Sequence, residues 1–202
     1  MAELSQLQTL LDAELRGPVP APVAELAAQL AARAQGGTVA VLYYGSTLRT
    51  GALDGLLDFY VLLDRAFDWP GSRLAAMANS LLPPNVGYVE GTFGGVPLRA
   101  KYAVLTLRQF EARVADQSID TTLWARFCQP ARSVWQRSAA DGERVTAAIG
   151  AAVATASRWA AAHGPQQGRA EQFWSALFAR TYATEIRVEK TDRSQGIVDA
   201  DA

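Results

Sequence analysis

The chain has 202 residues, 50% of them apolar, which is enough for one large domain or two small ones around a real core. Its formal net charge is −1, so no global basic field draws it to nucleic acid or to an anionic membrane, and any phosphate binding must be local. A single cysteine, Cys128, excludes an internal disulfide, and with a single histidine, His163, there is no zinc constellation. A catalytic Cys–His pair is outweighed by the usual role of cysteine as a small buried hydrophobe.

The N-terminus, MAELSQLQTLLDAELRG, predicts an acidic amphipathic helix with Leu4, Leu7, Leu10, Leu11 and Leu15 on one face, and it has the character of neither a secretory signal nor an Arg-rich transit peptide. After the Pro-rich turn PVPAP, Val23 to Ala34 predicts a second helix with Leu26 and Leu30 on its apolar side. Both are expected to pack on a sheet. Val39 to Tyr44 is short, β-branched and aromatic and bounded by Gly36-Gly37 and Gly45, and Leu56 to Leu63 is a similar short apolar run, which predicts two neighbouring buried strands. The TLRTGALDG segment between them has room for one helical turn or an irregular loop.

FDWPGS reads as a turn, Arg73 to Leu82 as a short helix, and Val86 to Thr92 and Pro97 to Leu107 as a hairpin joined across Gly94-Gly95. Thereafter the composition predicts helices over Gln109 to Val114, Thr121 to Cys128, Ala131 to Trp135 and Asp141 to His163. GPQQG breaks the chain before a last helix, Arg169 to Ala183, whose Phe173, Trp174, Leu177 and Phe178 recur at core spacing. No stretch reaches the roughly twenty consecutive apolar residues that cross a bilayer; the nearest, Val145 to Ala162, is mostly alanine and carries Arg158.

Chemistry concentrates around the first two strands. Gly45-Ser46 ends the first, where a glycine lets backbone N–H groups approach a phosphate and the hydroxyl adds a donor; an ordinary strand-ending turn would use the same residues. Asp58 lies inside the second strand between Leu57 and Phe59, where a carboxylate needs a partner: an Arg, or Mg²⁺ shared with substrate phosphates. Lys101 is one of only two lysines beside seventeen arginines and falls mid-strand. It serves either as a solvated surface charge or as a compact cation for a phosphate.

Gly-Ser, a spacer and a strand-borne carboxylate resemble the signature of polymerase-β-like nucleotidyltransferases, although Tyr60 stands where that signature carries its second carboxylate. The chain resembles a short bacterial-style member of the mitochondrial-type phosphatidate cytidylyltransferases (CDP-diacylglycerol synthases). That resemblance rests on Tyr44, Gly45 and Ser46 for the family's Y-G-S; Leu57, Asp58 and Phe59 for its hydrophobic-D-F; Asp64 for its second Asp; and Trp69 for its Trp. It continues through Lys101, Tyr102, Ala103 and Val104, then Ala125 to Pro130 for G-R-x-x-K-P, and Thr181 to Arg187 for S-Y-x-G-D-x-R. The departures are Pro70 for a His, Gln129 for a Lys, Thr184 for a Gly and Glu185 for an Asp.

The resemblance implies an α+β protein: a polymerase-β-like nucleotidyltransferase domain with a small mixed sheet over residues 1–108, then a mainly helical domain over 109–202 that contributes to the active site. It implies CTP and phosphatidic acid as substrates, CDP-diacylglycerol and pyrophosphate as products, Mg²⁺ as cofactor, no nucleic acid, and peripheral contact with the inner face of a bacterial membrane. Asp58, Lys101 and Glu185 would be catalytic, with Asp58, Asp64 and Glu185 as metal ligands. Tyr44, Gly45, Ser46, Arg126 and Arg187 would bind the nucleotide. Asp64 lies about 20 Å along the strand from Asp58 and serves equally as a capping residue. Two other functions remain open: a soluble nucleotidyltransferase acting on a small hydroxylated acceptor, and a non-catalytic scaffold.

Overall fold

In the computed structural model, residues 2–81, 84–118 and 120–184 are described. In chain order the elements are α1 (Ala2–Leu15), α2 (Ala21–Ala32), β1 (Thr38–Tyr44), α3 (Ser46–Thr50), β2 (Leu56–Leu63), a 3₁₀ turn (Ala66–Asp68), α4 (Arg73–Leu81), β3 (Asn85–Phe93), β4 (Val96–Thr106), α5 (Leu107–Val114), α6 (Thr121–Phe127), β5 (Ala131–Gln136), α7 (Ala139–His163) and α8 (Ala170–Thr184). The five strands form one mixed sheet in the order β3-β4-β2-β1-β5. β4 runs parallel to β2, and every other neighbouring pair is antiparallel.

Period-two alternation divides the central strands between two cores. On one face Val41, Tyr43, Leu57, Phe59, Val61 and Val104 pack under α2 through Val23, Leu26 and Leu30. On the other, Ala40, Leu42, Tyr60, Leu62 and Leu105 meet Phe110, Trp124, Phe127 and Ile149 of the helical part. Trp124 and Phe127 are wholly buried, each contributing about 2–3 kcal/mol of apolar transfer. The second face is covered only in part: Val86 and Tyr88 on β3 remain 62% and 54% exposed.

Two expectations change. Ala131 to Trp135 forms a strand rather than a helix, because Pro130 disfavours helical backbone just before it and the outer edge of β1 offers N–H and C=O groups that only a strand satisfies. β5 therefore carries part of residues 109–202 into the sheet of residues 1–108. On α1, Leu11 and Leu15 face the core, while Leu10 is 69% exposed and takes no part in it. No helix among the described residues is long and apolar enough to cross a membrane.

Candidate active site

A row of side chains crosses the sheet on its half-covered face. Tyr44 on β1 pairs in register with Asp58 on β2, Asp58 with Lys101 on β4, and Lys101 with Tyr88 on β3. Residues directly opposite one another on paired strands project to the same side, so these four stand in line, about 4.8 Å apart per strand. Tyr44, Asp58 and Lys101 are half-buried and Tyr88 is exposed.

Gly45 closes the β1 end of this row. Its φ of 93° is one that side chains rarely adopt, and a Cβ built there would lie 3.1 Å from Asp58 Oδ2. Both the turn and the close approach of the Asp58 carboxylate thus require glycine. Ser46 begins α3, a single turn stopped by Gly51 in the left-handed region. The Asp58 charge is felt nearby: burial pushes the Tyr43 phenol up, the Thr47 hydroxyl offsets part of that, and the Asp58 carboxylate adds to it.

Tyr60, two residues beyond Asp58, is 3% exposed and belongs to an aromatic plug. Its ring lies 5.4 Å from Tyr44 and 5.1 Å from Phe127, and Phe127 in turn packs 5.5 Å from Tyr44 and 4.9 Å from Phe110. A carboxylate at this position would sit beneath α6 among rings, where ionisation is heavily penalised. The plug also fixes the end of α6. Arg126, beside Phe127 and half-buried, donates to the Thr122 carbonyl.

Arg49, which the sequence patterns did not single out, joins this rim from α3. Its Nη1 donates to Gln129 Oε1 at 3.4 Å, tying the segment after Ser46 to the turn between α6 and β5. Tyr88 was missed too: the alternation Val86, Tyr88, Glu90 marks a strand, but only the register of β3 against β4 puts Tyr88 beside Lys101. Its hydroxyl donates to Glu90 Oε2 at 2.7 Å, and Glu90 lies in register with Arg99.

Asp64 is not brought to Asp58. It follows the opposite end of β2 and pairs with Arg137, which also binds Asp141 at 2.9 Å. Of the expected site residues, Tyr44, Gly45, Ser46, Asp58 and Lys101 converge, with Arg126 on the helix whose end packs against Tyr44. Glu185 and Arg187 lie outside the described residues. Among the described residues no three His, Cys, Asp or Glu side chains form a metal-holding group. Asp58 beside the Gly45 turn offers one carboxylate, and Mg²⁺ sites commonly take one or two carboxylates with the remaining ligands from phosphates and water.

Cys128 and His163 are far apart in the fold. Cys128 lines a cleft of about 250 Å³ with Leu11, Glu14, Leu15, Ile149 and Val153, whereas His163 stacks on Trp159 at the far end of α7. Burial pushes the Cys128 thiol up to about 12, which leaves it protonated and unreactive at neutral pH.

The fold and site together define an α+β protein with a strand-borne acid–base row at one end of a mixed sheet. No protein-family model matches the chain, and no curated protein matches it either.

Proposed function

We propose that the protein is a Mg²⁺-dependent nucleotidyltransferase of the polymerase-β-like fold whose acceptor is a phosphate monoester, and specifically that it converts CTP and phosphatidic acid to CDP-diacylglycerol and pyrophosphate at a membrane surface. The observation that carries this reading is the in-register pair Asp58–Lys101. A hydroxyl acceptor must lose a proton to become a nucleophile, so it calls for a base at the attacking side. A phosphate monoester has a second pKa near 6 and arrives already ionised at pH 7, so it calls for a cation instead. Lys101 occupies the position beside the acid, and a compact ammonium suits that task.

In this reading the β- and γ-phosphates rest at Gly45 and Ser46, where backbone N–H groups and a hydroxyl donate. Asp58 would hold Mg²⁺, which would supply charge neutralisation at the phosphates and the leaving group. An oxygen of the acceptor phosphate bonds to the α-phosphorus, the bond to the bridging α–β oxygen breaks, and that oxygen leaves with the electron pair on pyrophosphate. Lys101 orients the acceptor phosphate and lowers its repulsion from CTP. Arg49, on the rim, adds charge suited to bidentate phosphate contact, whereas Arg126 donates back to the Thr122 carbonyl and acts on Asp120 at the start of α6. Little covalent help is needed, because such transfers depend chiefly on alignment and electrostatics.

The test is incubation of the protein with radiolabelled CTP, Mg²⁺ and phosphatidic acid in detergent micelles, beside Asp58→Ala. Labelled lipid that disappears in the variant supports the reading. A folded, CTP-binding protein that labels no phosphate monoester sinks it and directs the search to hydroxylated acceptors; failure to bind CTP favours a scaffold.

A further inference from the structure

We infer that the acceptor lipid is seated on the uncovered shelf of β3 and β4, with Tyr88 and Val86 packing against its glycerol backbone and first acyl carbons while Lys101 holds its phosphate. This rests on the nucleotidyl-transfer reading above and adds where the second substrate lies. The row has a direction. The leaving pyrophosphate belongs at the Gly45 end, and the α-phosphate belongs over Asp58. Attacking and leaving oxygens are roughly in line in phosphoryl transfer, so the nucleophile approaches from the side opposite Gly45. That side is β4 and then β3: Lys101 first, Tyr88 next in register.

The surface met there suits an amphiphile. Among the described residues, the helices that cover this face over most of β1 and β2 leave Val86 62% and Tyr88 54% exposed on β3, and Leu56, at the start of β2 across from Arg99, 43% exposed. Apolar side chains on an otherwise alternating strand, bare to water and adjoining a lysine, match a molecule with a charged head and an apolar body. Among the described residues of β3 the one carboxylate, Glu90, lies in register with Arg99 and accepts from the Tyr88 hydroxyl. The opposite edge of the row gives no such room, because Tyr44 pairs there with Ala131 on β5 and is capped by Phe127.

The seat is tested in the full chain by comparing Tyr88→Ser and Val86→Asp with the wild type at varied phosphatidic acid and, separately, varied CTP. The KM for phosphatidic acid is expected to rise at least about fivefold with the KM for CTP unchanged, a larger change than with glycerol 3-phosphate, which shares the phosphate and the glycerol but lacks the acyl chains. Tyr88→Phe, which keeps the ring, should stay near wild type. An unchanged KM for phosphatidic acid in an active, folded variant overturns the seat alone, as does a rise confined to CTP. An inactive wild type overturns the reading of function on which the seat depends.

Discussion

Asp58 and Lys101 stand directly opposite each other on the parallel strands β2 and β4, an acid and a base side by side on the one sheet face that α5 to α8 only half cover. Lys101→Met keeps the length of the side chain and removes its charge. It is expected to lower kcat/KM for phosphatidic acid about 100-fold, near 3 kcal/mol, while leaving CTP binding within about threefold. Lys101→Arg should recover part of the loss. The measurement is steady-state kinetics with isothermal titration of CTP, and a loss equal in both substrates would speak for a merely structural lysine.

Gly45→Ala asks a residue with φ near 93° to carry a Cβ that meets Asp58 Oδ2 at 3.1 Å. The expected cost is about 1–3 kcal/mol of stability by denaturant titration, with weakened nucleotide binding, because the side chain pushes away the carboxylate the turn is built around. Gly51→Ala is the control: its φ of 69° is also left-handed but nothing lies within 4 Å, so it should destabilise without altering nucleotide affinity.

Tyr60→Asp restores on paper the second carboxylate of the general nucleotidyltransferase pattern. In the protein it places a charge among Tyr44, Phe127 and Phe110 at a position 3% exposed. It is expected to cost at least about 3 kcal/mol and to add no metal affinity, which thermal unfolding with and without Mg²⁺ would show. Stronger Mg²⁺-dependent nucleotide binding in the variant would contradict this account of the plug.

The strands that carry the site were legible from their residues: Leu56 to Leu63 is a short apolar run after Gly55 with Phe59, Tyr60 and Val61 at its centre, and it is β2 to the residue. Ala131 to Trp135 was not, since five residues after a proline hold no periodicity strong enough to decide, and the free edge of β1 decided instead. Spacing put Asp64 about 20 Å along the strand from Asp58 but on the same face, which left its role as ligand or cap undecided. Their roles diverge only because Arg137, far away in sequence, meets Asp64 at the other end of β2. Tyr88 became visible as a site neighbour only through the register of β3 against β4.

Asp64→Asn is therefore expected to leave turnover within about twofold, whereas Arg137→Ala should cost about 1–2 kcal/mol of stability, since it strips two carboxylates of their partner. The pair also sets an acid limb. The Arg137 guanidinium, ahead of partial burial and the Ser138 hydroxyl, holds Asp141 below the usual carboxylate value of 3.8. A lowered folded value contributes stability that is present above the ordinary range and lost as the pH falls through it toward the folded value. Wild type should lose stability more steeply than Arg137→Ala on acidification below about 4, measured by urea midpoints.

Cys128 supplies the opposite limb. Its thiol is held up to about 12 by burial, against an ordinary value of 9.0, and its Sγ donates to the Ala125 carbonyl at 3.4 Å. In the unfolded chain the thiol ionises near 9, while the folded protein keeps its proton, so between those values the unfolded state binds fewer protons and stability falls as the pH rises, by about 1.4 kcal/mol per pH unit from this group. Cys128→Ala removes that slope, and the difference between the two proteins isolates it from other alkaline titrations. At pH 8 the same burial should make the native thiol react with a disulfide reagent orders of magnitude more slowly than in denaturant. Rapid labelling of the native protein at pH 8 would contradict the raised value.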